Sequence, residues 1–126
     1  MLYKAQDRGI IAIDYVNLRD FGLGPHKSVD DTPYGGGDGM LLRCEPVFAA
    51  IESVKADDPS AEVILPTPVG TVWTQELARQ FAGVDCGRPQ SQTQHYIILC
   101  PHYEGYDERI MSIVDYPISL GNYVLT

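Results

Sequence analysis

Four of the five positions from Gly35 to Gly39 are glycine, within the segment PYGGGDGM that runs from Pro33 to Met40. Glycine reaches positive φ without steric cost and lets the backbone approach another molecule closely. A flexible spacer is the plain alternative. Spacers are usually rich in Gly and Ser, whereas Asp30, Asp31, Tyr34 and Met40 flank this run. Three further glycine-bearing stretches are TPVG (Thr67 to Gly70), PHYEG (Pro101 to Gly105) and SLGNYVL (Ser119 to Leu125). None has the GxGxxG spacing of a dinucleotide site or the GxxxxGK[ST] of a phosphate loop, so a nucleotide-like ligand would need another scheme. The three cysteines, Cys44, Cys86 and Cys100, form no CxxC pair. An odd count at wide spacing points to buried or reduced thiols rather than a disulfide framework or a zinc site.

The elements that would position these loops can be read from apolar spacing. Residues 2–9 suit the end of a helix, with Gly9 as its cap. IIAIDYVNL (Ile10 to Leu18) is rich in strand formers and predicts a strand. EPVFAAIESVKA (Glu45 to Ala56) places Val47, Ala50, Ile51 and Val54 at i, i+3, i+4 and i+7, the apolar stripe of a helix. Pro46 fits its first turn. EVILP (Glu62 to Pro66) predicts a buried strand leading into the TPVG loop. Thr74 to Ala82 predicts a second helix with Thr74 as N-cap. Residues 83–94 are polar and turn-rich and read as a flexible insertion. HYIILC (His95 to Cys100) predicts a third strand, Asp107 to Val114 a short helix, and Tyr123 to Thr126 a last strand.

Apolar strands alternating with helices predict an α/β domain with a parallel or mixed sheet covered on both faces. Ligands of such sheets bind at the carboxyl ends of the strands. TPVG, PHYEG and SLGNYVL lie at those ends, as one shared pocket or as three ordinary turns.

The 126 residues suit one domain with one core. No stretch approaches the roughly 18 apolar residues of a membrane helix. The opening MLYKAQDRG lacks the apolar run of a secretory signal, so a cytoplasmic protein with no membrane partner is expected. The net charge of −8 works against simple nucleic-acid binding, since phosphate contacts need Lys and Arg. RNA binding would require a local patch, a second subunit or a further segment.

VDDTPYGGGDGM (Val29 to Met40), HYEGYDERI (His102 to Ile110) and SLGNYVL together resemble the bacterial tRNA (guanine-N1)-methyltransferase TrmD family of SPOUT enzymes. The motifs share the family's order and approximate spacing, and the likeness covers nearly the whole chain. The resemblance implies a SPOUT-type parallel sheet with a trefoil-knot cofactor region, a homodimer, and methyl transfer from S-adenosylmethionine to N1 of guanosine 37 in tRNA. It places the cofactor against Leu65, Pro66, Thr67, Pro68 and Gly70, then Pro101, Tyr103 and Gly105. The last cofactor loop would be Ser119, Leu120, Gly121, Asn122, Tyr123, Val124 and Leu125. It places the target guanine near Tyr34, Gly35, Gly36, Gly37 and Met40. Glu104 would bear on the methionine amino group or the guanine edge in a supporting role; a solvated turn carboxylate is the alternative. His102 stands between a pocket role and a surface role. No metal is implied.

The resemblance also carries departures. Pro101 stands where the family usually has Gly, and proline removes a backbone donor. Asn122 replaces the usual Asp, and Thr67-Pro68-Val69-Gly70 replaces Ser-Pro-Gln-Gly. The family's base, an Asp, and its supporting Arg fall beyond the position of Thr126, as does a C-terminal tRNA-binding domain. The opening strand is also missing, so these 126 residues read as truncated at both ends, with the knot left incomplete and no turnover expected from them alone. The other reading is a non-catalytic, S-adenosylmethionine-binding or dimerising knotted module.

Overall fold

A computed structural model describes residues 1–83 and 94–123. The chain opens with helix α1 (Leu2–Asp7) and a 3-10 helix (Leu18–Phe21). Strands β1 (Asp30–Asp31) and β2 (Leu41–Leu42) flank the glycine-rich segment. Helix α2 (Cys44–Asp57), the long strand β3 (Glu62–Val72) and helix α3 (Gln75–Phe81) follow. Then come β4 (Tyr96–Ile98), β5 (Gly105–Tyr106), a second 3-10 helix (Glu108–Ile113) and β6 (Tyr116–Ser119).

Two three-stranded sheets result. One has the order β4-β3-β6 with every pairing parallel, as the apolar strand pattern predicts. The other has the order β1-β2-β5, with β1–β2 antiparallel and β2–β5 parallel. The core lies between the larger sheet and α2. Val47 and Ile51 of α2 meet Val63 and Leu65 of β3, with Leu99, Ile110 and Leu42 closing the cluster. Val47, Val63 and Leu65 have no exposed surface, and burying side chains of this kind is worth about 1.5–3 kcal/mol each. Pro46 is accommodated because the first-turn N–H groups of a helix have no intrahelical acceptor.

Several expected elements differ. Gly9 is not the cap itself: Arg8 caps α1, and Gly9 follows at φ +66°. Gly9 N–H donates to Gln6 C=O and Ile10 N–H to Ala5 C=O, the reverse-turn closure that only a residue tolerant of positive φ allows. Residues 11–17 form no strand. Ile10 and Tyr15 are 69% and 91% exposed, and no strand lies beside them among the described residues to complete a ladder. The predicted stop of β3 at Pro66 is replaced by an irregularity inside one strand. Pro66 and Thr71 both register with Ile118, so residues 67–70 bow out and the chain then rejoins β6. The helix expected over Asp107 to Val114 is the 3-10 turn Glu108–Ile113, capped by the Asp107 carboxylate accepting from Arg109 N–H. A strand that was not expected forms at Tyr116–Ser119, where the chain can pair with β3; the strand expected over Tyr123 to Thr126 falls almost wholly outside the described residues. Residues 84–93, most of the expected insertion, lie outside the described residues, as do 124–126.

Candidate functional site

The carboxyl ends of β3, β4 and β6 point the same way because the strands are parallel. This sets residues 67–70, the segment after Ile98 and the segment after Ser119 along one edge of the sheet. Gly70 has to be glycine: a Cβ there would stand 2.5 Å from Ile118 N and 2.5 Å from Pro117 C, inside the backbone of β6. Trp73 N–H donates to Ser119 C=O at 2.7 Å just beyond. The first and third loops are therefore fastened backbone to backbone.

The first and second loops are joined through side chains. Thr67 is buried, and its hydroxyl lies 3.0 Å from the Tyr106 hydroxyl. Tyr106 also reaches Met111 Sδ at 3.6 Å. Sequence spacing did not single out Tyr106. Its signal was its type and place, an amphipathic ring directly after Gly105 that can bury its body and keep its hydroxyl bonded.

The second loop meets the glycine-rich segment. Gly105 pairs with Leu41 in parallel register, and a Cβ on Gly105 would stand 2.9 Å from Leu41 Cδ2. The Glu104 carboxylate lies directly against Gly39, at the place a Cβ would occupy. Gly35, Gly36, Gly37 and Gly39 all have positive φ, so the glycine-rich run is a shaped loop that L side chains would strain. Tyr34 at its tip is 95% exposed.

The remaining expected residues divide by burial. Leu65 and Ser119 are buried in the sheet. Pro66, Pro101, Tyr103, Gly121 and Met40 are half-buried, and Tyr103 packs on the core cluster. Pro68, His102, Leu120, Asn122 and Tyr123 are exposed. Tyr123 folds back over Gly121, with its hydroxyl donating to Leu120 C=O at 3.4 Å. Val124 and Leu125 lie outside the described residues.

Charge is concentrated at the base of the glycine-rich loop. The Asp107 carboxylate accepts from Arg109 Nη2 at 2.6 Å and from Arg109 Nε at 2.9 Å. This pairing with Arg109 holds the Asp107 carboxyl down to about 2 and raises the Arg109 guanidinium further. Burial, then the charges of Asp107 and Glu45, push the Cys44 thiol up, which keeps it protonated and unsuited to nucleophilic work. No cluster of three or more His, Cys, Asp or Glu able to hold a metal occurs among the described residues. No helix there is long and apolar enough to cross a membrane.

Comparison with known proteins decides the family. The family model described as tRNA (Guanine-1)-methyltransferase TrmD matches residues 1–126. The chain belongs to the TrmD family. A tRNA (guanine-N(1)-)-methyltransferase of Dictyoglomus turgidum is 45% identical over 126 residues, covering 100% of this chain and 47% of the relative. One from Staphylococcus epidermidis is 44% identical over 127 residues, covering 48% of that relative. The crystal structure of tRNA (m1G37) methyltransferase from Aquifex aeolicus superposes with a TM-score of 0.77 at 34% identity, over 98% of this chain and 52% of that one. This TrmD-family chain thus spans about half the length of the curated relatives it matches, and its mixed α/β fold with a parallel sheet is that of the solved relative.

Proposed function

We propose that these residues form the cofactor-binding half of a cytoplasmic tRNA (guanine-N1)-methyltransferase. The observation that carries the reading is the joining of four loops into one surface: 67–70 to β6 through Gly70, 67 to 106 through paired hydroxyls, and 104 to 39 through the Glu104 carboxylate. The donor set fits S-adenosylmethionine. Its adenine can be recognised by backbone N–H and C=O groups in tight loops, and Gly70, Gly105 and Gly121 let those loops close against β6, Leu41 and Tyr123. Leu120 and Tyr123 are exposed apolar side chains at the same edge, 58% and 62% exposed, which a flat ring can cover.

When bound, the cofactor supplies an electrophilic methyl group that leaves a sulfonium without acid assistance. The protein's work is then orientation and proton removal, because guanine N1 carries a proton and is a poor nucleophile until it departs. Tyr34 and the loop Gly35–Met40 present the guanine, and Glu104 bridges the guanine side and the cofactor side. The base and its Arg partner are assigned, by the family resemblance, to chain beyond Thr126. A homodimer is part of this reading, since Val72 and Trp73 leave further apolar surface at the site edge.

Titration calorimetry with S-adenosylhomocysteine tests the proposal. Saturable heat below millimolar ligand is expected; its absence at millimolar ligand overturns the cofactor assignment. In a tRNA methylation assay these 126 residues alone are expected to give no turnover.

A further inference from the structure

The loop that carries Gly35 to Gly39 is long relative to what holds it. Its two flanking strands, β1 and β2, contribute two residues each, and a ladder that short is marginal by itself. The glycines add to the difficulty, because each has more conformational freedom to lose than any other residue. Leu42 and Val29 anchor the base of the loop in the core, and a side-chain clasp adds to the ladder at its neck.

Arg43 stands at that neck. Its backbone N–H donates to Val29 C=O at 2.9 Å, continuing the β1–β2 pairing by one step. Its Nη1 lies 3.0 Å from Asp31 Oδ2 on the opposite strand. Its Nε lies 3.5 Å from Glu45 Oε2 at the start of α2. That Nε is buried and makes no hydrogen bond among the described residues. The guanidinium is thus drawn inward between two carboxylates instead of extending into water, and its side chain keeps 28% of its surface exposed against 59% for Asp31. An arginine can serve both carboxylates at once because its fork of donors is planar and rigid; a lysine ammonium is a single point charge. The Glu45 carboxyl is held below its ordinary range by hydrogen bonding to its own backbone amide and by the Arg43 charge, so it is ionised at neutral pH.

We infer that Arg43 is a positioning residue. It ties β1 to the rigid end of α2 and so holds the Gly35–Met40 loop over Glu104. The catalytic consequence rests on the proposed methyltransferase reading: the clasp sets how well guanine is presented, and leaves cofactor binding alone, because the Arg43 bonds and ion pairs among the described residues run to Val29, Asp31 and Glu45.

Two readouts separate the inference from that reading. Hydrogen exchange needs no catalysis. Arg43→Ala is expected to speed amide exchange of residues 34–41 by roughly 2- to 5-fold, the scale of a lost local ion pair. Exchange at Val63 and Leu99 should stay unchanged. Arg43→Lys should fall between wild type and Arg43→Ala. If Arg43→Ala unfolds the whole chain, Asp31→Asn, which cuts one arm only, provides the same comparison. Unchanged exchange at 34–41 in both variants overturns the inference, whatever the enzyme does. In the complete enzyme, Arg43→Ala should raise KM for tRNA several-fold while S-adenosylhomocysteine affinity holds. A parallel loss of both would also overturn it. An inactive wild-type enzyme would instead defeat the functional reading and leave the exchange result to decide the clasp.

Discussion

The two sheets support the candidate site by different physics. The β4-β3-β6 sheet is anchored in the core: Val63 and Leu65 have no exposed surface, and Ile118 is 5% exposed. The β1-β2-β5 sheet has strands of two residues: it enters the same core through Leu42, with Tyr106 packed against it, and beyond that leans on polar pairs, Arg43 with Asp31 and Asp107 with Arg109. The strand-end loops therefore inherit the stability of the whole fold, whereas the glycine-rich loop, beyond the Leu42 anchor at its base, is held by contacts that can be broken one at a time. Local opening is cheapest where buried apolar contact is least.

The largest expected effect breaks the core-anchored side. Leu65→Ala removes a wholly buried side chain from the middle of β3. Substitutions of this kind cost about 2–5 kcal/mol. Urea unfolding should show a loss in that range, and S-adenosylhomocysteine binding should weaken with it. A loss under about 1 kcal/mol would mean that this sheet is less tightly packed than its burial implies, and the contrast between the sheets would fail.

A smaller effect sharpens the comparison inside the same sheet. Gly70→Ala adds one methyl group, yet that methyl meets the backbone of Pro117 and Ile118 rather than a side chain that can rotate away. Strain of this kind costs about 1–3 kcal/mol. Residues 67–70 already bow out of register, so the loop can shift and absorb part of it. Ligand affinity should consequently fall more than stability, by 10-fold or more in calorimetry. Equal binding by wild type and Gly70→Ala would remove the first loop from the site.

The sequence revealed the core-anchored side better than the side-chain-held one, for the same physical reason. Helix α2 followed from four apolar positions at helical spacing, and Val47, Ala50 and Ile51 are indeed buried. Thr74 was legible as a cap because capping is local, and its hydroxyl accepts from Leu77 N–H at 3.1 Å. Ile10 to Leu18 has strand composition, but a strand also needs a neighbour, and composition carries no information about that. β6 went unforeseen because its place is fixed by pairing with β3 across roughly 50 residues of chain. Of the expected site, the glycine loops were visible as composition. The Thr67–Tyr106 hydroxyl pair and the Arg43 clasp were not, since both join residues whose separation follows no local period. Site roles came from the family motifs, not from spacing.

The smallest expected effect probes the weaker sheet by pH. Asp107 donates its backbone N–H to Leu42 C=O at 2.9 Å, extending the β2–β5 pairing, while its carboxylate grips Arg109. The carboxyl is lowered from 3.8 to about 2. A depressed folded-state value means that the ion pair stabilises fully above pH 3.8 and loses its contribution as pH falls toward 2. The Arg109 side chain is 61% exposed, so solvent screening keeps the contribution small. Asp107→Asn should therefore be slightly less stable than wild type at pH 7 in urea unfolding, with the gap closing as pH falls toward 2. Exchange of the Asp107 amide should rise over that interval before exchange of the Leu99 amide, which bonds Ile64 C=O within the larger sheet. If the two amides opened together, the sheets would form one cooperative unit and the division of support between them would not hold.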